Sequence, residues 1–216
     1  MNGESAPPMN MASSPRASEL CLFPLQTVLF PGGLLSLKVF EARYLDLMAS
    51  CLRGRTAFGV VALRQGAEVR SSSANVEFES TGVMAELIDV DSPQPGILHV
   101  RCRGTRRFTV KSAHQQTDGL WLADSTNLPD DAAVLPAAAL IETVRGLANA
   151  IATLKSQGAV PFLKPYELDN AGWVANRWCE ILPIPVGAKQ KLMELSDPAI
   201  RLQLVDDFLR SKGVVN

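Results

Sequence analysis

Apart from one helical stretch at 40–54, the spacing of apolar residues changes once along this chain, at "NLPDDAAVLP" (127–136). Before it, apolar residues recur at every second position in short runs; after it, they recur at steps of three and four. The first period belongs to strands with one buried face, the second to helices. A chain that carries both in separate blocks builds a sheet first and then packs helices against it. The expected class is α+β: an antiparallel β-rich N-terminal part curled toward a barrel, with one helix, followed by a C-terminal helical bundle.

The strand block runs from 19 to 128. "TAFGVVAL" (56–63), "GVMAELIDV" (82–90) and "GLWLADS" (119–125) read as strands. "ILHVRCR" (97–103) puts Leu98, Val100 and Cys102 on one face and His99, Arg101 and Arg103 on the other. "RRFTVKS" (106–112) sets Phe108 and Val110 opposite Arg107, Thr109 and Lys111. Gly104 lies between these two runs, so they read as a hairpin. A helix at 40–54 brings together Tyr44, Leu47, Met48, Cys51 and Leu52, with Gly54 as its stop. The block opens with a doubled Leu-Phe-Pro, at 22–24 and 29–31. Proline is a poor residue inside a paired strand. Pro24 is expected to end the first strand, and "FPGG" to form a type II turn with Pro31 and Gly32 at its centre.

The helical block runs from 129 to 216. Leu140, Val144, Leu147, Ile151 and Leu154 mark a long helix between Pro136 and Gly158. A second spans Asp169 to Leu182 and buries Val174, Trp178, Ile181 and Leu182; a short third covers 187–195. A fourth starts at Asp197 as N-cap with Pro198 in its first turn, buries Ile200, Leu204, Val205 and Phe208, and closes at Gly213. Residues 1–18, rich in Ser, Pro, Ala and Asn, read as a disordered tail.

Several function classes drop out on composition. The net charge is −1, so no bulk basicity points to nucleic acid. No run of about 18 apolar residues occurs, and no signal peptide opens the chain, which reads as a cytoplasmic protein. Cys21, Cys51, Cys102 and Cys179 are scattered and read as small buried hydrophobes in a reducing compartment rather than metal ligands. His99 and His114 are the only histidines, and neither has an evident nucleophile beside it. No phosphate-loop motif occurs. No catalytic residue, metal or cofactor is expected.

"LFPLQTVLFPGGLLSLKVFEARY" resembles the start of the Lon protease N-terminal domain. The resemblance continues through "FGVV", "STGVMAELIDV" and "ILHVRCRGTRRFTV". It weakens over the long helix and returns at "AKQKLMELSDPAIRLQLVDDFL". It implies a PUA-like pseudo-barrel followed by a helical bundle, in a protein that recognises polypeptide. The ATPase and Ser-Lys protease modules of a full Lon have no counterpart in these 216 residues. The reading is a free-standing, non-catalytic polypeptide-recognition or adaptor module in protein quality control. Its partners would be unfolded or exposed polypeptide segments, with a protease or chaperone as a further one, and no membrane.

Two surfaces compete for the site. The proline-bounded segment "VPFLKPYEL" (160–168) carries Phe162, Leu163 and Tyr166, which either plug the seam between the halves or face a partner. Glu41 and Tyr44 at the first helix either cap and pack it or wall a peptide groove. The alternative function is nucleic-acid binding through His99, Arg101, Arg103, Arg107 and Lys111 on the hairpin. That patch has no aromatic platform for bases, and nucleic acid is not the expected partner.

Overall fold

The doubled Leu-Phe-Pro brackets a crossing between two strands, β1 (Leu20–Leu25) and β2 (Leu34–Val39). The computed structural model of the protein describes residues 19–65 and 76–215; the tail read at 1–18 lies outside them. After β2 come α1 (Ala42–Gly54), β3 (Phe58–Gln65), β4 (Glu77–Gln94), β5 (Ile97–Gln115) and β6 (Trp121–Asn127). Then follow a 3-10 turn at Ala138–Leu140, α2 (Ile141–Ser156), α3 (Ala171–Ile181), α4 (Val186–Glu194) and α5 (Pro198–Ser211). The change of period near 127–136 falls where the last described strand ends and the helices begin.

The six strands form one sheet in the order β2-β5-β4-β3-β1-β6, and β6 returns to pair with β5. That last pairing closes β1, β3, β4, β5 and β6 into a ring, with β2 outside it on the first half of β5. All pairs are antiparallel except β1 with β3.

Pro24 does not end β1; it sits within it, opposite Val61 of β3. β6 covers only Leu20–Leu22, so Pro24 occupies a stretch of β1 that has a neighbour on one side. That is where a strand tolerates a missing donor. The "FPGG" turn forms as its residues require: Gly33 N–H donates to Phe30 O at 2.9 Å, and Gly32 has φ +73°.

Gly104 is not a hairpin turn. β5 runs straight through it, and the turn is at Pro95–Gly96, where Gly96 has φ +79° and Gln94 faces Ile97. Gly104 is glycine for another reason: a Cβ there would lie 2.3 Å from Phe30 O. The crossing segment lies flat on β5 at this point, with Gly32 N–H donating to Gly104 O (2.8 Å) and Gly104 N–H to Gly33 O (2.9 Å). The two glycine-flanked features in the sequence are one contact.

The helices largely follow their caps. The Asp197 side chain accepts from the N–H groups of Ala199 and Ile200, with Pro198 in the first turn, and Asn170 caps α3 in the same way. The left-handed residue after α1 is Arg55 rather than Gly54. The buried face of α5 differs from the expected one: Leu202, Val205 and Leu209 point inward with Arg201 and Asp206, while Ile200 and Leu204 are exposed. Two buried charges decide that rotation.

A continuous core extends from Phe23, Phe30 and Met48 in the strand block to Leu147, Trp178 and Leu202 in the helices. A smaller cluster of Leu22, Val61, Phe108 and Ala123 fills the opposite sheet face. The alternation of strand side chains produces both, since Leu22 and Phe23 or Val60 and Val61 fall on opposite sides.

Candidate functional site

Three buried arginines tie the helices together and to the strand block. Arg107 of β5 donates to Asp131 Oδ1 (2.7 Å) and to the carbonyls of Leu195 (2.8 Å) and Met193 (3.2 Å). Arg201 of α5 meets the same carboxylate at 2.5 Å and also donates to Asn176, Leu192 O and Leu195 O. Arg177 of α3 donates to Pro31 O (2.8 Å), to Gly32 O and to Glu180 (2.8 Å). Its guanidinium therefore reads the "FPGG" turn, whose carbonyls are turned toward it. Burial holds the Arg177 pKa below its usual value and pushes Glu180 up to about 7, although Arg177 pulls Glu180 the other way.

Two concavities flank this frame. The first, about 270 Å³, is lined by Phe23 and Leu25 of β1, by Ser36, Leu37, Lys38 and Val39 of β2, and by Phe40, Glu41 and Tyr44. It brings together the predicted Glu41 and Tyr44. Glu41 occupies the N-cap position of α1 but its side chain makes no cap bond; it pairs with Arg43 at 3.0 Å. Arg43 covers the Tyr44 ring at 4.5 Å and donates to Gly119 O (2.6 Å). Tyr44 stacks on Phe23 with ring centroids 3.8 Å apart. The wall is thus fixed in place, and Phe40 stands 51 % exposed at its rim.

The second concavity, about 230 Å³, lies between the crossing segment and α3. Val28, Leu29, Leu34, Leu35, Phe162, Glu180, Ile181 and Lys189 contribute to it. Of the predicted trio only Phe162 reaches it. Phe162 is a core residue, edge-on to Trp173 at 6.2 Å and under Arg177, so its ring does not face a partner. Leu163 and Tyr166 are half-buried; Tyr166 leans on Trp173 at 5.9 Å, with Lys155 over its outer face at 4.4 Å. The segment plugs the seam.

The basic patch comes apart. Arg107 is buried in the arginine frame because it follows the irregularity at Gly104, which shifts the alternation of β5. His99, Arg101 and Arg103 remain exposed, but each faces an acidic residue of β4: Asp91, Asp89 and Glu86. Arg103 and Glu86 are 2.9 Å apart. Lys111 is exposed on the stretch of β5 that pairs with β6, away from the other three.

Burial raises the pKa of all four thiols, which favours the protonated form. Burial pushes Cys21 to about 11 and Cys102 and Cys179 to about 12. Among the described residues, no three His, Cys, Asp or Glu side chains converge as a metal site would need. No helix among them is long and apolar enough to cross a membrane.

The sequence model of the ATP-dependent protease La (LON) substrate-binding domain matches residues 19–211. The chain belongs to that family. A solved Lon N-terminal domain protein from Xanthomonas campestris is similar over 87% of this chain and 96% of its own, at 29% identity and a TM-score of 0.68. The N-terminal domain of a Mycobacterium avium complex Lon protease shares the fold at 16% identity and a TM-score of 0.57, covering 89% of this chain and 98% of its own. No curated protein matches. In Lon terms this is the substrate-binding part, and the arginine frame is its one feature with almost no signal in the sequence. An arginine inside an apolar helical stripe, such as Arg177 beside Val174 and Trp178, is the only sign the sequence carries of it.

Proposed function

We propose that the protein is a non-catalytic polypeptide-recognition module that engages unfolded or exposed segments of other proteins and acts as an adaptor in protein quality control. The family match over residues 19–211 carries this reading. The ring of strands, read as a PUA-like barrel, and the helices that follow it, read as a bundle, supply a rigid frame with two shallow, partly apolar concavities, a shape that suits an extended chain. Glu41 and Tyr44 line one concavity and Phe162 the other; Leu163 and Tyr166 would act by holding the second in shape. A protease or chaperone would be the downstream partner.

The test is calorimetric titration of a reduced, unfolded protein into the full chain. Binding in the micromolar range, about −8 kcal/mol, with a negative heat-capacity change and weak salt dependence, is expected. A flexible ligand pays an ordering cost, which keeps the affinity modest. Absence of binding, or binding only to folded proteins, would overturn the reading.

A further inference from the structure

The ring gives its strands neighbours on both sides, but β2, the first half of β5 and the second half of β4 extend beyond it as three strands whose two outer edges have no strand neighbour among the described residues. The β4 edge is defended. It carries Glu86, Asp89 and Asp91, and its register with β5 shifts between Leu87 and Asp89 and again between Asp91 and Gln94. Charges and bulges of this kind keep foreign strands away. The β2 edge has little such defence. Leu34–Val39 pairs with β5 in unbroken register, from Leu34 opposite Arg103 to Val39 opposite Leu98. It contains no acidic residue and no proline, and Lys38 is its one charge.

The phase of this edge follows from one bond. Gly104 N–H donates to Gly33 O, so Gly33 and, at every second residue, Leu35, Leu37 and Val39 turn their backbone groups toward β5. Leu34, Ser36 and Lys38 turn theirs outward. Successive strand residues point to opposite faces. A concavity lined by Ser36, Leu37, Lys38 and Val39 in succession therefore lies along the edge itself, with Phe23, Leu25, Phe40 and Tyr44 beside it.

We propose that an extended segment of client polypeptide adds as a strand to the outer edge of β2 and sets an apolar side chain into the concavity of Phe23, Leu25, Phe40 and Tyr44. This rests on the polypeptide-recognition reading and gives it a place and a mode. The outward row of N–H and C=O groups is complementary to another extended backbone, whatever its sequence. The concavity adds a preference for an apolar residue, and the exposed Lys38 favours an acidic or neutral polar one beside it. A second copy of this chain fits less well. Its β2 has Val39 buried and Leu34, Leu35 and Leu37 half-buried, so Phe40, just past the strand, is the one largely exposed apolar side chain it would bring.

The experiment titrates reduced, carboxymethylated α-lactalbumin, and a short peptide from it, into the full-length chain and two variants. Ser36→Pro removes an outward donor that pairs with no strand among the described residues, a loss an edge strand tolerates. Phe40→Asp alters a ring at the rim of the concavity. Each is expected to weaken binding about tenfold, and N-methylation of alternate peptide bonds in the ligand should abolish binding to the unaltered chain. The amides of Ser36 and Lys38 should exchange more slowly in the complex. If the unaltered chain binds and neither the variants nor N-methylation matter, the edge is not the site, although polypeptide recognition stands. A concentration-dependent dimer that Ser36→Pro dissolves would give the edge to a second copy and overturn the proposal. No binding by the unaltered chain would overturn both readings.

Discussion

Arg177 and Arg201 are among the largest fully buried side chains of the protein, and each is stabilised by partners that the sequence does not place nearby. Arg201 and Arg107 share the carboxylate of Asp131, which lies in the stretch where the period changes. Removing one partner of a buried ion pair leaves uncompensated charge and costs about 3–5 kcal/mol. Asp131→Ala should therefore lower the unfolding free energy by that order in urea titration. Glu86→Ala, which breaks the half-exposed pair with Arg103, should cost under about 1 kcal/mol. Equal losses would show that Asp131 does not hold the frame together. Glu180 makes a second, pH-dependent prediction. Burial raises its folded pKa from 4.5 to about 7. The folded state therefore holds a proton that the unfolded chain releases. The associated stability is fully present below the unfolded pKa and is lost as pH rises through about 7. Stability should fall between these values, and Glu180→Gln should flatten that slope. A Glu180→Gln profile parallel to the unaltered one would assign the dependence to other groups.

Strands and helices were legible where one physical rule decides them. The cap at Asp197 and the turn at Pro31–Gly32 depend on local chemistry alone, whereas the cap of α3 is Asn170, one residue past the expected start at Asp169. The course of β5 was not legible, because Gly104 has two meanings in a sequence: a turn residue, or a place where another backbone approaches. Only the fold brings Phe30 O against it. The face of α5 was misread for a related reason, since Arg201 and Asp206 look exposed until Asp131, Asn176 and Thr143 are placed opposite them. The candidate site was legible in part: Glu41 and Tyr44 fall on one concavity, whereas Arg107 left the basic patch for the interior. Gly104→Ala tests the element-scale account. The added methyl meets backbone rather than a movable side chain, so β5 and the crossing segment must separate locally. Overpacking of this kind costs about 1–3 kcal/mol. Gly96→Ala has open space but a positive φ, so its cost should come from backbone strain alone. A Gly104→Ala protein as stable as the parent in chemical denaturation would remove the close crossing.

At the scale of the molecule, the change of period at 127–136 marks a change of element type but not a break in the core. Phe23, Phe30 and Met48 belong to the same cluster as Leu147, Trp178 and Leu202; Arg107 and Arg177 cross between the two blocks, and Arg201 shares the Asp131 carboxylate with Arg107. Phe162 lies in that shared core, against Trp173 and Arg177, whose guanidinium reaches back to Pro31 and Gly32. A chain whose parts share their apolar interior cannot expose half of it at little cost, because the other half would then present a large apolar face to water. The expected thermal behaviour is therefore one cooperative transition, with equal calorimetric and van't Hoff enthalpies, rather than separate melting of 19–128 and 129–215. Phe162→Ala should lower the stability of the whole transition by about 3–5 kcal/mol, the usual cost of emptying a buried aromatic site. It should do so without splitting the transition, since the lost contacts belong to a core common to both parts. The midpoint can be followed at once by near-ultraviolet dichroism, which reports Trp173 and Trp178 in the helices and Trp121 in β6, and by the far-ultraviolet strand signal. Coincident curves for the parent and for Phe162→Ala are the expected result. Two resolved midpoints in the variant would show that the strand block holds together without the helices, and that the frame of arginines docks two separately stable units.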